Sequence, residues 1–163
     1  MNGITLTLRA LHHGEQHLTK VLLAAAERHR SEHEVHHVAT DLARWSAEHV
    51  ERIADTAGHN ALELDEASST SHSGFVSTLR EKVAETVRRR PEPGLLLLRD
   101  LGELHLAAAE NSLHWEMLAQ TAQATKDQRL LSLASACHPQ TLRQVRWTNT
   151  MIKNLCPQVL SSL

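Results

Sequence analysis

Glu15 and His49 stand at positions where leucines are expected. Written as a heptad stripe, the first helical segment turns Ile4, Leu8, Leu11, Glu15, Leu18, Leu22, Ala25 and His29 to one side. The second turns Val35, Val38, Leu42, Trp45, His49 and Ile53. Folded back on each other around Ser31, the two segments bring His49 within about half a turn of Glu15. A buried carboxylate without a partner costs several kcal/mol, on the order of 3–5. An acid and an imidazole at one level of a core therefore pair with each other or hold a divalent metal.

Two further residues can complete a metal set. His12 lies one turn before Glu15, and His105 flanks the inward stripe of a later segment. Glu15, His49, His12 and His105 would make a mixed His/carboxylate group acceptable to iron, zinc or manganese. With one position left to water, the metal would acidify that water and serve catalysis. The competing reading is a hydrogen-bonded Glu–His pair that sets helix register with no metal.

Other chemistry-bearing residues are more dispersed. His13 with His17, His33 with His37, and His29 with His33 have the four-residue spacing that puts two imidazoles on one helix face. Cys137-His138-Pro139 places a thiol and an imidazole beside a helix-breaking residue, with Arg143 near enough to favour a thiolate. A small core thiol at a kink is the plainer reading. Trp45, Trp115 and Trp147 read as core or interface plugs, and a small-molecule pocket lined by them is a weaker alternative. No phosphate-cradling glycine loop and no serine-based nucleophile arrangement stands out.

The elements that position these residues are all helical, because period 3.6 dominates and strand alternation is missing. Helix one is expected over 4–30. Ser31 and Glu34 form a capping box for helix two, over 32–57, which Gly58 closes. Residues 59–74 read as a loop, and 75–90 as a short helix ended by PEPG at Pro91–Gly94. Helix four is expected over 95–124, with Leu97, Leu101, Leu104, Ala108, Asn111, Trp115, Leu118 and Ala122 inward. Asp127 caps a last helix over 128–155, kinked near Pro139 and ended by Pro157. The fold class is an all-α four-helix bundle in one domain. It is built from two antiparallel helical hairpins joined by a long crossover that carries the short fifth helix.

That architecture resembles the ferritin-like superfamily. The resemblance implies two irons in the core, held by a carboxylate from each of two helices and a Glu-x-x-His from each of the others. Glu15 matches the first carboxylate in place and facing. Glu34-Val35-His36-His37 contains a formal Glu-x-x-His but lies about ten residues from the level of Glu15. Glu48 and His49 are adjacent and point about 100° apart. The last helix offers no Glu and no second motif, so a symmetric di-iron site is not expected.

Bulk properties narrow the function class. The 163 residues suffice for one core, and the formal charge of −2 argues against a general nucleic-acid binder. The N-terminus shows no apolar secretory signal and no run is long enough to span a bilayer, so a cytoplasmic protein with no membrane partner is expected. Cys137 and Cys156 are too far apart along one helix to pair with each other. A homodimer is the expected assembly. The functional expectation is a bundle that holds a divalent metal. The alternative is a metal-free interaction or regulatory module that engages a protein partner.

Overall fold

A computed structural model describes residues 2–58 and 92–163. These form four helices: α1 (Gly3–Arg28), α2 (His33–Ala57), α3 (Pro93–Thr125) and α4 (Gln128–Ser161). The short helix expected over 75–90, and the loop expected over 59–74, lie outside the described residues. No described helix is long and apolar enough to cross a membrane.

The helix ends follow local chemistry. Asn2 caps α1 by accepting from the Thr5 backbone N–H at 2.8 Å. Gly58 closes α2 with φ at +79°, a conformation that glycine adopts without penalty. Asp127 caps α4 by accepting from the N–H groups of Arg129 and Leu130, both at 3.1 Å.

Three expectations about boundaries are corrected. Ser31 does not cap α2; Glu32 holds that position, with no side-chain cap bond. The turn from α1 is too tight for the expected box, because Glu32 N–H already bonds the His29 carbonyl at 3.0 Å. His36 secures the start of α2 instead, donating from Nδ1 to the Ala26 carbonyl at 2.8 Å. The helix expected from residue 95 begins earlier, at Pro93, since the N–H that proline lacks would be unpaired in a first turn anyway. Finally, Pro157 does not end α4, which runs on to Ser161 with Pro139 also inside it. Both prolines sit on exposed positions, where water can satisfy the carbonyls they leave free.

α1 packs on α2 and α3, and α4 packs on α3 and α2. Bonded pairs give the directions. Ala26–His36 and Glu15–His49 run in opposite order along α1 and α2. His105–Thr148 and Ser112–His138 do so along α3 and α4. Arg28–Asp100 and Glu15–Trp115 make α3 antiparallel to α1.

The apolar core divides along the bundle. One cluster holds Leu8, Leu11, Ile53, Trp115, Leu118, Leu130 and Leu133. Another holds Leu18, Leu22, Ala39, Leu42, Leu104 and Ala108. A third, near the start of α3, joins Val35, Leu97, Leu101 and Met151. Polar residues occupy the level between the first two clusters.

Candidate functional site: a polar layer between two apolar clusters

Glu15 and His49 meet there, each fully buried. The stripes of α1 and α2 carry them inward, and the antiparallel run of the two helices sets their level. His49 Nδ1 donates to Glu15 Oε1 at 3.1 Å. The same oxygen accepts from Trp115 Nε1 of α3 at 2.9 Å and, more distantly, from Thr141 Oγ1 of α4 at 3.5 Å. His49 Nε2 faces Gln140 Oε1 of α4 at 2.7 Å. All four helices thus converge on one carboxylate and one imidazole.

The layer extends about one turn along the bundle. Gln144 donates from Nε2 to the Leu42 carbonyl at 3.0 Å and to Ser46 Oγ at 2.9 Å. Asn111 presses against α1, where a Cβ at position 14 would collide with its side-chain oxygen, so Gly14 makes the approach possible. Three buried atoms of this region have no bonding partner: Glu15 Oε2, Asn111 Nδ2 and Gln144 Oε1.

These positions decide how the donor set suits a metal. Both imidazole nitrogens of His49 are bonded to protein groups, and rotating the Gln140 amide would still leave no lone pair free. Glu15 offers one uncommitted oxygen. His105 is on the same helix as Trp115 but ten residues away, roughly 15 Å along its axis. It bonds Thr148 Oγ1 through Nδ1 at 2.9 Å instead. His12 is half-buried one turn from Glu15. Among the described residues, no group of three or more His, Cys, Asp or Glu side chains is arranged to hold a metal ion. The structure brings Glu15 and His49 together and leaves His105 apart. A di-iron centre of the ferritin-like kind does not fit this donor set.

Cys137 borders the layer and is fully buried. Burial, then the charge of Glu15, push its thiol up to about 12 against the opposing pull of Arg52. A thiolate there is strongly disfavoured, so the small core thiol describes Cys137 better than a nucleophile does. Arg143, which the spacing offers as its activating charge, is exposed.

The polar end of the α1 stripe has its own partner. His29 Nε2 donates to Asp100 Oδ2 of α3 at 2.7 Å, and Arg28 donates to the same oxygen. Arg99 donates to Oδ1 at 2.8 Å. Burial raises the Asp100 carboxyl, but the donors Arg99, His29 and Arg28 outweigh it and hold the group below its ordinary range. Asp100 is hidden in the sequence, because it directly follows Arg99 at the end of a leucine run. Gln140, Thr141 and Gln144 are hidden as well. The signal for Thr141 and Gln144 is the inward spacing of Cys137, Thr141, Gln144, Thr148 and Met151 along α4; Gln140 lies beside that stripe.

No protein-family model, curated protein or solved structure matches the chain. The likeness to ferritin-like proteins is therefore one of architecture alone: the described residues form an all-helical bundle of four helices.

Proposed function

We propose that this chain is a ferritin-like bundle, two antiparallel hairpins with a crossover, whose core replaces metal ligation with a hydrogen-bonded polar layer. In this reading it acts as a protein-interaction module. The observation that carries the reading is the closure of the Glu15–His49 pair. Trp115 and Thr141 engage Oε1 of Glu15 and Gln140 engages Nε2 of His49, which leaves Glu15 Oε2 as the one uncommitted atom of the pair, too few for a metal site. A polar layer of this kind disfavours other helix registers, because a shift would leave buried charge unpaired.

Function then falls to the surface. Leu106, Leu113 and Met117 are 71%, 62% and 55% exposed and follow one another along the outer side of α3. A protein partner with an apolar helix face suits that stripe, and a second copy of the chain is the first partner to test.

The test has two arms. Untagged protein, purified without a nickel column, should contain well under one equivalent of iron, zinc or manganese. Adding these ions should leave its unfolding temperature unchanged. Stoichiometric metal lost in Glu15→Ala/His49→Ala would overturn the metal-free core. In sedimentation velocity, Leu106→Glu/Leu113→Glu should abolish the self-association of the wild type while retaining its circular dichroism. An unchanged sedimentation profile would remove the stripe as the contact with a second copy.

A further inference from the structure

A second constellation lies on the outer side of the contact between α3 and α4. Ser112, Glu116 and Gln120 follow at four-residue steps on α3 and so share one face. His138 reaches them from α4. Its Nε2 is 3.0 Å from Ser112 Oγ, and its Nδ1 is 3.8 Å from Glu116 Oε2. The other carboxylate oxygen, Oε1, accepts from Gln120 Nε2 at 2.9 Å. The His138 side chain is 16% exposed and that of Glu116 is 56% exposed, so the cluster borders solvent.

The orientation of Ser112 is informative. Helical hydroxyls commonly bond back to the carbonyl four residues earlier. Thr7, Thr19, Thr40, Thr56 and Thr121 all do so in this protein. Ser112 instead turns its hydroxyl to an imidazole. A carboxylate on the Nδ1 side favours the tautomer with its proton there, leaving the Nε2 lone pair for the hydroxyl proton. Leu142 lies one turn beyond His138 and is 46% exposed, and Ala109 lies one turn before Ser112. Both offer apolar surface to a small acyl group.

We propose that Ser112 is a nucleophile toward small activated acyl esters, with His138 as its general base and Glu116 as a positioning residue. Ser112 Oγ bonds to the acyl carbon while its proton passes to His138 Nε2. The ester C–O bond breaks, and the departing alkoxide or phenolate takes the electron pair and the proton from His138. A water molecule later adds to the acyl carbon with His138 again as base. That step releases the carboxylic acid and restores the serine hydroxyl.

The backbone N–H groups around Ser112 are committed within α3. An oxyanion donor is worth on the order of 10²–10³ in rate, so only esters with good leaving groups react, and the acyl-serine accumulates. The sequence conceals this arrangement because its base and nucleophile are on different helices.

The experiment exposes the full chain to p-nitrophenyl acetate and, separately, to a fluorophosphonate probe. The expected result is a burst of p-nitrophenol approaching one equivalent, with the acetyl group mapped to Ser112 by peptide mass spectrometry. Fluorophosphonate should label the same residue. Ser112→Ala should abolish the label, and His138→Gln should slow acylation by at least about 100-fold. Glu116→Gln should slow it about two- to fivefold, and the rate should lose its salt dependence, as expected of a half-exposed charge. Circular dichroism confirms that each variant is folded. Hydrolysis by surface histidines or acetylation of lysines would persist in Ser112→Ala. A burst unchanged in that variant, or no label on Ser112 in the folded wild type, would overturn the proposal.

Discussion

Trp115 of α3 donates its indole N–H to Oε1 of Glu15 on α1 across 2.9 Å, in a part of the core where both side chains are fully buried. The bond couples the largest fully buried side chain among the described residues to a fully buried carboxylate. It also explains why an indole occupies this level: Phe would fill similar space but could not donate. Trp115→Phe should therefore destabilise the protein by about 1–3 kcal/mol, the usual cost of stranding a buried polar atom. His49 and Thr141 remain to share the load. Equilibrium urea unfolding measures this, and an unchanged midpoint would show that the indole contributes only its apolar surface.

Glu15 and His49 should behave as a coupled pair. Each single change to alanine leaves the other group buried without its main partner, at a cost of about 3–5 kcal/mol. The double variant removes both needs together, so it should lose less than the sum, with a coupling of about 1–3 kcal/mol. A double-mutant cycle in denaturant reads this directly. Additive losses would mean that the 3.1 Å contact carries no energy of its own.

Gly14 has a packing role that its small size alone does not reveal. A Cβ at this position would collide with Asn111 Oδ1, whose own amide nitrogen is buried and unpartnered. Gly14→Ala gains helix propensity but forces Asn111 aside, with a net cost of about 1–3 kcal/mol. Adding Asn111→Ala should relieve the collision and recover most of that loss. Thermal unfolding of both variants tests the point, and a stabilised Gly14→Ala would refute it.

Much of this arrangement is legible in the sequence, and the illegible parts have physical causes. The pairing of Glu15 with His49 follows from heptad register and a short turn, both local properties. All eight positions of the α3 stripe from Leu97 to Ala122 are buried as their periodicity implies. On α2 the face is rotated slightly, so that Ala39, Ala43 and Ser46 are buried while Val38 and Trp45 are half-exposed. Apolar character alone hides that rotation, because small residues face the close neighbour. Pro139 conceals the polar side of α4, since it suggests a break among Cys137, Thr141 and Gln144. Which nitrogen or oxygen each polar group meets depends on inter-helix geometry that spacing does not encode.

Asp100 gives the bundle an acid-sensitive tie between the end of α1 and the first part of α3. Its folded-state carboxyl titrates below the ordinary 3.8, because Arg99, His29 and Arg28 favour the charged form more than burial opposes it. The unfolded chain therefore takes up the proton first. The contribution is fully present above the ordinary value and is lost as pH falls from there through the lower folded one. Unfolding temperature should decline across that acidic window. Asp100→Asn should lower stability at neutral pH and flatten the decline, and an equally steep acid limb in the variant would assign the sensitivity elsewhere.

The two thiols should react very differently. Cys156 is half-buried near the end of α4, whereas Cys137 is sealed in the core with its thiol pushed up to about 12. Thiolate is the reactive form, so at pH 8 about one in 10⁴ Cys137 thiols would be ionised even if a reagent could reach them. Ellman's reagent should modify Cys156 first and Cys137 only as the bundle opens. The slow phase should therefore accelerate in Trp115→Phe, whose loosened polar layer opens more often. Two fast thiols in the folded wild type would show that the core around Cys137 is open to solvent.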